Sequence, residues 1–386
     1  MARITKWMVI RLKNIPICDL QAQYLTIKDE IDNVINRVVH NSHFIGGVEV
    51  EKFEEKICDY FGVNYAIGVA SGTDALYLAL KACGIKEGDE VITTPFTFIA
   101  TAESISRCGA RPIFVDIDSE TLNINVKLIE RKLTNKTKAI LPVHLYGEAV
   151  EMIQVMNLAK KYNLKVIEDC AQSFGATYIG KKVGTIGNVA CLSYFPSKIL
   201  GCYGDGGMVI TNEKPIADMV RMLANHGSQK KYYHDYHGLN SRLDSLQAAI
   251  LSVKLKYVDE WIERRRNIAD LYYKSISTDK ISLLNTMKLN GNCYNYFTVK
   301  TKYRAKLKPY LSDNLITTAI YYPLSLHQQP VFKDLKQFGL LNSEKAQQEV
   351  LSLPMYPELS DEDVKLICDH INGSVLFGLG VWSKNG

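Results

Sequence analysis

Short apolar runs alternate with segments of helical periodicity between about residues 60 and 212. The runs are rich in β-branched residues and apolar at consecutive positions, which is typical of strands buried on both faces of a sheet. We predict strands at residues 90–94, 112–116, 139–143, 165–168, 189–193 and 207–211. Segments with apolar residues at helical spacing lie between them, and they predict crossover helices at residues 74–83, 99–107, 126–133 and 149–162. This alternation favours an α/β fold with a mostly parallel sheet.

The pattern differs on either side of this region. Two helices are predicted before it, at residues 24–39 and 48–61, and one long helix follows at 241–277. Beyond that helix the chain predicts a smaller α+β unit, with strands at 296–300 and 316–322 and helices at 305–311, 344–351 and 361–370. Because 386 residues exceed the usual size of one domain, we predict a large domain at 1–255 and a small C-terminal domain at 256–386.

The amino-acid composition argues against several classes of function. A net charge of +5 over 386 residues, without a basic run, argues against nucleic-acid binding but suits anionic small molecules. The nine cysteines lie apart with no C-x-x-C pair, which predicts reduced thiols rather than disulfides or a metal site. No stretch has the length and apolar character of a membrane span, and the first sixteen residues lack a secretory pattern. We therefore expect a cytoplasmic protein without membrane or metal.

The first chemical signal lies where a predicted helix begins. Ser71-Gly72-Thr73-Asp74 precedes this helix, so unpaired backbone N–H groups and the helix dipole would face an anion such as a phosphate. A simple N-cap by Thr73 or Asp74 explains the same four residues when they are taken alone.

Two further signals follow predicted strands, where ligands of open α/β sheets gather. Asp169 ends a buried apolar strand, and a carboxylate there could pair with a protonated pyridinium nitrogen, although a cap or an ion pair would also explain it. Lys198 lies in a turn of glycines and a proline after another strand. A partly desolvated amine is both a nucleophile toward aldehydes and an acid/base group, whereas a lone turn lysine is usually solvent-exposed.

Several sequence motifs, which we call phrases, together make the functional interpretation specific. The chain contains S-G-T-D-A-L (71–76), T-P-F-T-F-I-A-T-A-E (94–103), V-H-L-Y-G (143–147), E-D-C-A-Q-S-F-G-A (168–176), S-Y-F-P-S-K (193–198), G-D-G-G (204–207) and G-L-N-S-R-L-D-S-L-Q-A-A (238–249). In this order they resemble the DegT/DnrJ/EryC1/StrS family of nucleotide-sugar aminotransferases. The resemblance implies an aspartate-aminotransferase-like fold, which is fold type I of the pyridoxal-phosphate enzymes, and pyridoxal 5′-phosphate as cofactor.

The resemblance also implies roles for individual residues. Lys198 would form the Schiff base with the cofactor, Asp169 would pair with its pyridine nitrogen, and Gln172 would lie near its ring hydroxyl. Further expected cofactor contacts are the phosphate ligands Gly72, Thr73 and Ser193, the ring-stacking Phe98, and Asn240, which would reach the phosphate of a neighbouring subunit. Asn240 thus implies a homodimer with shared active sites. Arg242, Tyr321 and His327 are candidate sugar contacts. A subunit contact or a structural ion pair would also explain Arg242, and a structural hydrogen bond explains His327 at least as well.

The implied reaction transfers an amino group from L-glutamate, which leaves as 2-oxoglutarate, to a nucleotide-linked keto-sugar. The phrases around Lys198 and Asn240 most resemble enzymes acting at C3 of a UDP-linked 2-acetamido-3-keto-glucuronate, which serve surface polysaccharide, lipopolysaccharide and glycan synthesis. Tyr321-Tyr322-Pro323 departs from the H-Y-P of that branch and leaves the sugar contacts open. The alternatives are C4 of a UDP- or GDP-sugar and C3 of a dTDP-sugar.

Two other classes share this family resemblance. Sugar dehydratases of the family carry histidine at the Schiff-base position, and Lys198 argues against that class. A non-catalytic regulator would have no need of Asp169, Gln172, Ser193 and Lys198 together. His144 and His226 are also within family phrases, but they are as readily structural as functional.

Overall fold

The computed structural model describes residues 14–285 and 290–373. Its strands are β1 Tyr65–Val69, β2 Glu90–Thr93, β3 Arg111–Phe114, β4 Thr137–Ile140, β5 Lys165–Asp169, β6 Thr177–Tyr178, β7 Lys181–Lys182, β8 Val189–Ser193, β9 Gly207–Thr211, β10 Ser282–Leu283, β11 Asn290–Gly291, β12 Phe297–Lys300 and β13 Val350–Leu353. Its α-helices are α1 Leu20–Thr26, α2 Lys28–Asn41, α3 Val48–Phe61, α4 Gly72–Ala82, α5 Ala100–Arg107, α6 Met152–Tyr162, α7 Lys214–Ala224, α8 Ser245–Lys254, α9 Val258–Ser275, α10 Arg304–Asp313, α11 Leu341–Glu349 and α12 Asp361–Asn372.

A seven-stranded sheet in the order β1-β9-β8-β5-β4-β2-β3 forms the centre of the protein. Strand β9 runs antiparallel to both of its neighbours, and all other neighbouring pairs are parallel. Six strands therefore end at the same edge of the sheet. This confirms the predicted α/β fold with a mostly parallel sheet, and it directs the residues after β1, β2, β4, β5 and β8 to one place.

Two hydrophobic clusters cover this sheet. One contains Phe53 and Ile57 of α3 together with alternate residues of the central strands, and the other contains Leu76 and Leu80 of α4 with the opposite set. Because successive strand residues point to opposite faces, both faces bury apolar side chains. The continuous apolar runs in the sequence thus have their physical explanation.

The C-terminal part builds a smaller three-stranded sheet in the order β10-β12-β13. A third cluster packs this sheet against α9, α10 and α12, and it includes Ile15 from the beginning of the described chain. A 3-10 turn at Leu255–Tyr257 separates α8 from α9 near the predicted domain boundary at 255/256. The division at that residue remains a prediction.

Several predicted elements differ from the structure. The helix predicted at 241–277 is two helices, because residues 241–244 are extended and the 3-10 turn interrupts the rest. The segment predicted as a helix at 126–133 forms two 3-10 turns, Val126–Leu128 and Glu130–Lys132. The predicted strand at 316–322 pairs only at isolated bridges, those of Ile316 with Ile15 and of Ala319 with Ser352. The helix predicted at 344–351 ends at Glu349, and β13 begins at Val350. Strands β1, β6, β7, β10, β11 and β13 and helix α7 were not predicted.

Across residues 14–285 and 290–373, no helix combines the length and apolar character needed to cross a membrane.

Candidate active site

A cavity of about 420 Å³ opens at the edge of the main sheet where the parallel strands end. Residues from five strand ends line it, and residues of the C-terminal part close one side. Of the predicted site residues, the lining includes Gly72, Thr73, Phe98, Asp169, Gln172, Ser193, Lys198 and Tyr321. The structure therefore brings together eight side chains and backbone positions that the sequence places up to 250 residues apart.

The N-terminus of α4 forms one end of this cavity. Ser71 is its N-cap, and its Oγ accepts a hydrogen bond from Asp74 N at 3.1 Å, so neither Thr73 nor Asp74 is the cap considered from the sequence. The first backbone bond of the helix runs from Ala75 N to Ser71 O, which leaves the N–H groups of Gly72 and Thr73 directed out of the helix. These groups can bind an anion there.

Gly72 is required by the packing at this helix end. A Cβ at this position would lie 2.7 Å from Ser193 Cβ and 3.1 Å from Ser193 Oγ. Only glycine therefore allows the helix to approach the end of β8 so closely. The approach places the Ser193 hydroxyl beside the free N–H groups of the helix, as a binding site for a phosphate requires.

Asp169 lies at the end of β5, with 4% of its surface exposed. Its Oδ1 accepts from Ala171 N at 3.1 Å, and its Oδ2 accepts from the Thr101 hydroxyl at 2.9 Å. Burial raises the pKa of Asp169, but these hydrogen bonds and the nearby charge of Lys198 oppose the rise. A carboxylate oriented in this way still has lone pairs for a cationic ring nitrogen in the cavity.

Gln172 is held in one orientation. Its Oε1 accepts from Tyr146 N at 2.8 Å, and its Nε2 donates to the Tyr322 hydroxyl at 2.7 Å. The second Nε2 hydrogen is the remaining donor on this amide. Gln172 thus has one donor available for a ring oxygen, while it links the strand-end loops to the C-terminal part.

Lys198 lies in the loop that connects β8 to β9, and it is partly exposed to the cavity. Burial lowers the pKa of its amine to about 8, and the Asp169 charge partly opposes this effect. A lysine with such a pKa is partly unprotonated at neutral pH. It can therefore act both as a nucleophile and as a proton carrier.

Aromatic side chains form the open side of the cavity. Phe98 is 55% exposed and Phe195 is 53% exposed, so each offers a free ring face. Opposite them, Tyr321 stacks on Tyr296 with ring centroids 4.2 Å apart, and the Tyr296 centroid lies 6.0 Å from Lys198 Nζ. The cavity can accordingly hold one planar ring beside Phe98. It can hold a second ring against the aromatic surface of the tyrosines.

Three predicted residues lie outside this lining. Asn240 and Arg242 are exposed on the segment before α8. The His327 side chain is buried, and its Nε2 lies 3.0 Å from Glu344 Oε1, so the structure does not bring it to the cavity. Its pairing with Glu344 accounts for the residue without a sugar contact. The expected roles of Asn240 and Arg242 at an active site therefore remain predictions.

Several lining residues were not predicted. Thr101 lies in the first turn of α5 and orients Asp169 through a hydrogen bond. Tyr296 and Tyr322 reach the cavity from the C-terminal part. No spacing in the sequence singled out Thr101, because Thr97, four residues earlier, lies before α5 and not on its helical face. No sequence signal indicated Tyr296, because only the tertiary packing brings it near Lys198.

A buried network lies beneath Asp169. His144 Nδ1 accepts from Val150 N at 3.0 Å, which leaves the proton on Nε2 to donate to Glu168 Oε2 at 3.0 Å. Glu168 also accepts from the N–H groups of Gly184, Ile186 and Gly187. Among the described residues, His144, Glu168 and Cys170 have the proximity of metal ligands, within 4.8 Å, but these hydrogen bonds already occupy the imidazole and the carboxylate. We assign the network a structural role.

The residues present fit pyridoxal phosphate. The cleft between α4 and Ser193, which a Cβ at Gly72 would fill, offers donors for the phosphate. Asp169 is a buried carboxylate for the ring nitrogen, Phe98 offers a ring face, and Lys198 supplies an amine of lowered pKa for the aldehyde. The donor set therefore matches a phosphorylated, cationic aromatic aldehyde.

Comparison with known proteins agrees with this geometry. Residues 25–372 match the model of the DegT/DnrJ/EryC1/StrS aminotransferase family. A "pleiotropic regulatory protein" of Geobacillus stearothermophilus is 47% identical, covering 93% of this chain and 98% of that protein. The UDP-2-acetamido-2-deoxy-3-oxo-D-glucuronate aminotransferase of Pseudomonas aeruginosa is 43% identical, covering 92% and 98%. Further relatives bear the names of dTDP- and GDP-linked sugar enzymes.

The structural comparison gives the same result. The S. venezuelae DesV, solved in complex with a ketimine intermediate, superposes with a TM-score of 0.92 at 36% identity. The match covers 95% of this chain and 99% of DesV. The chain belongs to the DegT/DnrJ/EryC1/StrS aminotransferase family, and it is a pyridoxal-phosphate-dependent sugar aminotransferase of the aspartate-aminotransferase-like fold.

Proposed function

We propose that this chain transfers an amino group from L-glutamate to C3 of a UDP-linked 2-acetamido-3-keto-uronate, with Lys198 as the catalytic amine. The observation that carries this proposal is the position of Lys198 in one cavity with Asp169 and the free N–H groups of α4. The 43% identity to the Pseudomonas aeruginosa enzyme supports the choice of sugar. A product of this kind would serve the synthesis of surface polysaccharides, including lipopolysaccharide, and other glycans.

When bound, pyridoxal phosphate supplies an electron sink for the charge that develops on the substrate carbon. In the proposed cycle, Gly72, Thr73 and Ser193 hold the phosphate while Asp169 keeps the ring nitrogen protonated. Lys198 takes a proton from the donor's α-carbon in the first half-reaction and delivers a proton to the sugar carbon in the second. Lys198 therefore serves both halves from one loop.

A dTDP-linked 3-keto-sugar is the second candidate substrate. Among the relatives, a dTDP-3-amino-3,6-dideoxy-alpha-D-galactopyranose transaminase is 44% identical to this chain. This identity is about the same as the 43% of the uronate enzyme. Tyr321 lines the cavity where the uronate branch carries histidine, and a phenol ring offers more apolar surface than an imidazole. A less polar deoxy-sugar would suit that surface.

A regulatory role is the alternative of a different class, because the relative with 47% identity carries a regulator's name. The discriminating observation is the visible absorbance of the purified protein. A working aminotransferase loses its yellow absorbance when L-glutamate is added, and 2-oxoglutarate restores it. A yellow protein whose spectrum does not respond to glutamate would favour the regulator.

We propose further that two copies share their active sites. Among the described residues, the cavity lining contains one basic side chain, Lys198, against the carboxylates Asp169 and Asp205. Glutamate and a nucleotide diphosphate carry several negative charges, so additional cations have to come from outside this lining. Lys230, Lys231 and Arg242 are exposed, and the same residues of a second copy could supply those charges.

Exposed apolar side chains support this arrangement. Phe44, Ile45 and Val48 are exposed large apolar side chains at the start of α3. Phe195, which lies at the cavity, is also exposed. Exposed apolar groups of this kind are typical of subunit interfaces, and a two-fold contact would cover them.

Reduction with borohydride tests the role of Lys198. The purified protein is loaded with cofactor, reduced, digested and mapped by mass spectrometry. We expect the cofactor mass on the peptide that contains Lys198, and none on the peptide that contains the buried Lys254, which serves as an internal control. A label elsewhere, or no label, would overturn the proposed function.

A substrate panel tests the choice of sugar. The protein, L-glutamate and each nucleotide keto-sugar, generated in place by its dehydrogenase or dehydratase, are incubated and the aminated product is identified. We expect the highest kcat/KM with the UDP-linked 3-keto-uronate. Turnover of a dTDP-linked 3-keto-sugar or of a 4-keto-sugar, without turnover of the uronate, would replace the proposed substrate.

A further inference from the structure

The loop that carries Lys198 is rich in glycine. It connects β8 to β9 and contains Gly201, Gly204 and Gly206. Its own backbone bonds are few and include those from Lys198 N to Phe195 O and from Cys202 N to Tyr194 O, both at 2.8 Å. Glycine leaves the backbone many alternative conformations. The position of the Lys198 amine therefore depends on contacts from outside the loop.

Two side chains of α8 make such contacts. Gln247 accepts a hydrogen bond from Tyr203 N at 2.8 Å and donates one to Tyr203 O at 3.1 Å. Lys254 Nζ donates to Gly201 O at 2.5 Å. Because the two residues are seven apart, they lie on the same face of the helix. Helix α8 thus holds the loop at two points, three and five residues after Lys198.

Lys254 is an unusual residue for its position. Only 1% of its surface is exposed, and among the described residues no carboxylate lies within ion-pair distance of its amine. Burial lowers the pKa of this amine to about 8. The rings of Tyr203 and Trp261, with centroids at 5.1 and 5.9 Å, lie near enough to stabilise its charge. Burying an amine is costly, so an apolar side chain would stabilise the fold more simply.

We propose that Lys254 and Gln247 are positioning residues, which hold the Lys198 loop so that the Lys198 amine stays aligned with the cofactor and the substrate carbon. Neither residue lines the cavity, so each acts through the loop. This inference rests on the proposed role of Lys198. Alignment matters because a displacement of about 1 Å between reacting groups can lower a rate about 100-fold.

The first test measures the loop without the cofactor. Lys254→Met keeps the length of the apolar stem but removes the donor, and Gln247→Leu removes the contacts to Tyr203. Lys256→Met is the matched control, because Lys256 is exposed and pairs with Glu30. Hydrogen–deuterium exchange of the cofactor-free proteins should show faster exchange of residues 195–203 in the first two variants. The control should exchange like the unmodified protein.

The second test measures the half-reaction of the loaded enzyme with L-glutamate. At saturating glutamate, we expect Lys254→Met to lower the first-order rate about 10- to 100-fold. The glutamate concentration for half-saturation and the cofactor content should stay unchanged, because the phosphate site and Asp169 are untouched. A purely stabilising residue would instead lower the melting temperature and cofactor content without this selective loss of rate.

The possible failures are distinguishable. If borohydride does not label Lys198 in the unmodified enzyme, the proposed function fails and this inference fails with it. If Lys198 is labelled, but loop exchange and half-reaction rate match the control in both variants, only the positioning role is overturned. Faster exchange across the whole protein, rather than in residues 195–203, would overturn it as well. Gln247→Leu decides the question if Lys254→Met does not fold.

Discussion

At the scale of single residues, Asp169 shows how a buried carboxylate can be kept for one partner. Each of its oxygens already accepts one hydrogen bond, from Ala171 N and from Thr101 Oγ1, and these bonds fix the orientation of the group. Burial raises its pKa, whereas these hydrogen bonds and the charge of Lys198 oppose the rise, so a further positive charge in the cavity would favour the ionised form. A protonated ring nitrogen in the cavity would supply that charge.

We therefore expect Asp169→Asn to lower the rate of the glutamate half-reaction about 100- to 1,000-fold, because it removes the charge but keeps the shape. The loss should appear as slower bleaching of the visible absorbance in single-turnover measurements. Thr101→Val, which removes only one hydrogen bond to the carboxylate, should reduce the rate about 10-fold or less. Equal rates in Asp169→Asn and the unmodified enzyme, at equal cofactor content, would contradict the assigned pairing.

The pH dependence of Lys198 can be measured before any turnover. Burial lowers its pKa to about 8, so the reactive free amine increases as pH rises through that value. The rate at which the cofactor-free protein combines with pyridoxal phosphate should rise from pH 6.5 to 9 and level off above that. At pH 7 roughly a tenth of the amine is free, far more than for an exposed lysine. A rate that still rises steeply at pH 10 would contradict the lowered pKa.

At the scale of elements, α4 and β8 form the phosphate site by approaching each other closely. Ser71 caps the helix, and the N–H groups of Gly72 and Thr73 point away from it. The helix dipole adds a favourable interaction with an anion at this end. Both features depend on the absence of a Cβ at Gly72.

Gly72→Ala should move the N-terminus of α4 away from β8. The helix itself should still form, because alanine is a good helix former. Its Cβ would lie 2.7 Å from Ser193 Cβ, so the helix end and β8 must move apart. We expect the Kd for pyridoxal phosphate to increase about 10-fold or more, at about 1.4 kcal/mol for each factor of ten. Gly373→Ala at the end of α12 is the control. Unchanged cofactor affinity in Gly72→Ala would rule out a close phosphate contact here.

The sequence predicted the sheet better than the parts around it. Strands β8 and β9 have the predicted bounds, because apolar runs buried on both faces are distinctive. The prediction of one helix at 241–277 missed the turn between α8 and α9. Both helices bury apolar residues, so the hydrophobic periodicity continues across the turn and does not reveal it. Residues 316–322 pair only at isolated bridges, because a sequence cannot show whether a segment with strand character finds a full ladder of partners.

The same limit applies to the active site. Lys198, Asp169 and the α4 N-terminus follow strand ends, and a parallel sheet brings such positions together at one edge. Tyr296 and the buried His144–Glu168 pair come from packing between distant segments, which no spacing in the sequence expresses. Sequence therefore predicted the residues held by the sheet and, from the C-terminal part, Tyr321, but it missed Tyr296 and Tyr322.

At the scale of the whole molecule, charge is distributed unevenly between the cavity and the surface. The part of the lining that the structure describes has one basic side chain, whereas Lys230, Lys231 and Arg242 are exposed on the segment that leads to α8. This segment continues into the helix that holds the Lys198 loop. A second copy docked at this surface could thus add cations to the cavity and contact the element that positions the catalytic amine.

Mixing two inactive variants tests whether the sites are shared. Lys198→Ala removes the amine of its own cavity, and Asn240→Ala removes the contact proposed to reach the neighbouring cavity. In a mixed dimer with shared sites, one cavity carries both substitutions and the other carries neither. After unfolding and refolding together at equal amounts, about half of the dimers are mixed, so activity should recover to about a quarter of the unmodified level.

The outcome separates two architectures. If each chain completes its own cavity, every cavity in the mixture retains one defect, and activity stays at the average of the two separate variants. Two copies of Lys198→Ala refolded together provide the control, because no cavity in them can regain the amine. Recovery would therefore show that Asn240 acts across the interface. It would also explain why Asn240 lies exposed and outside the cavity lining of its own chain.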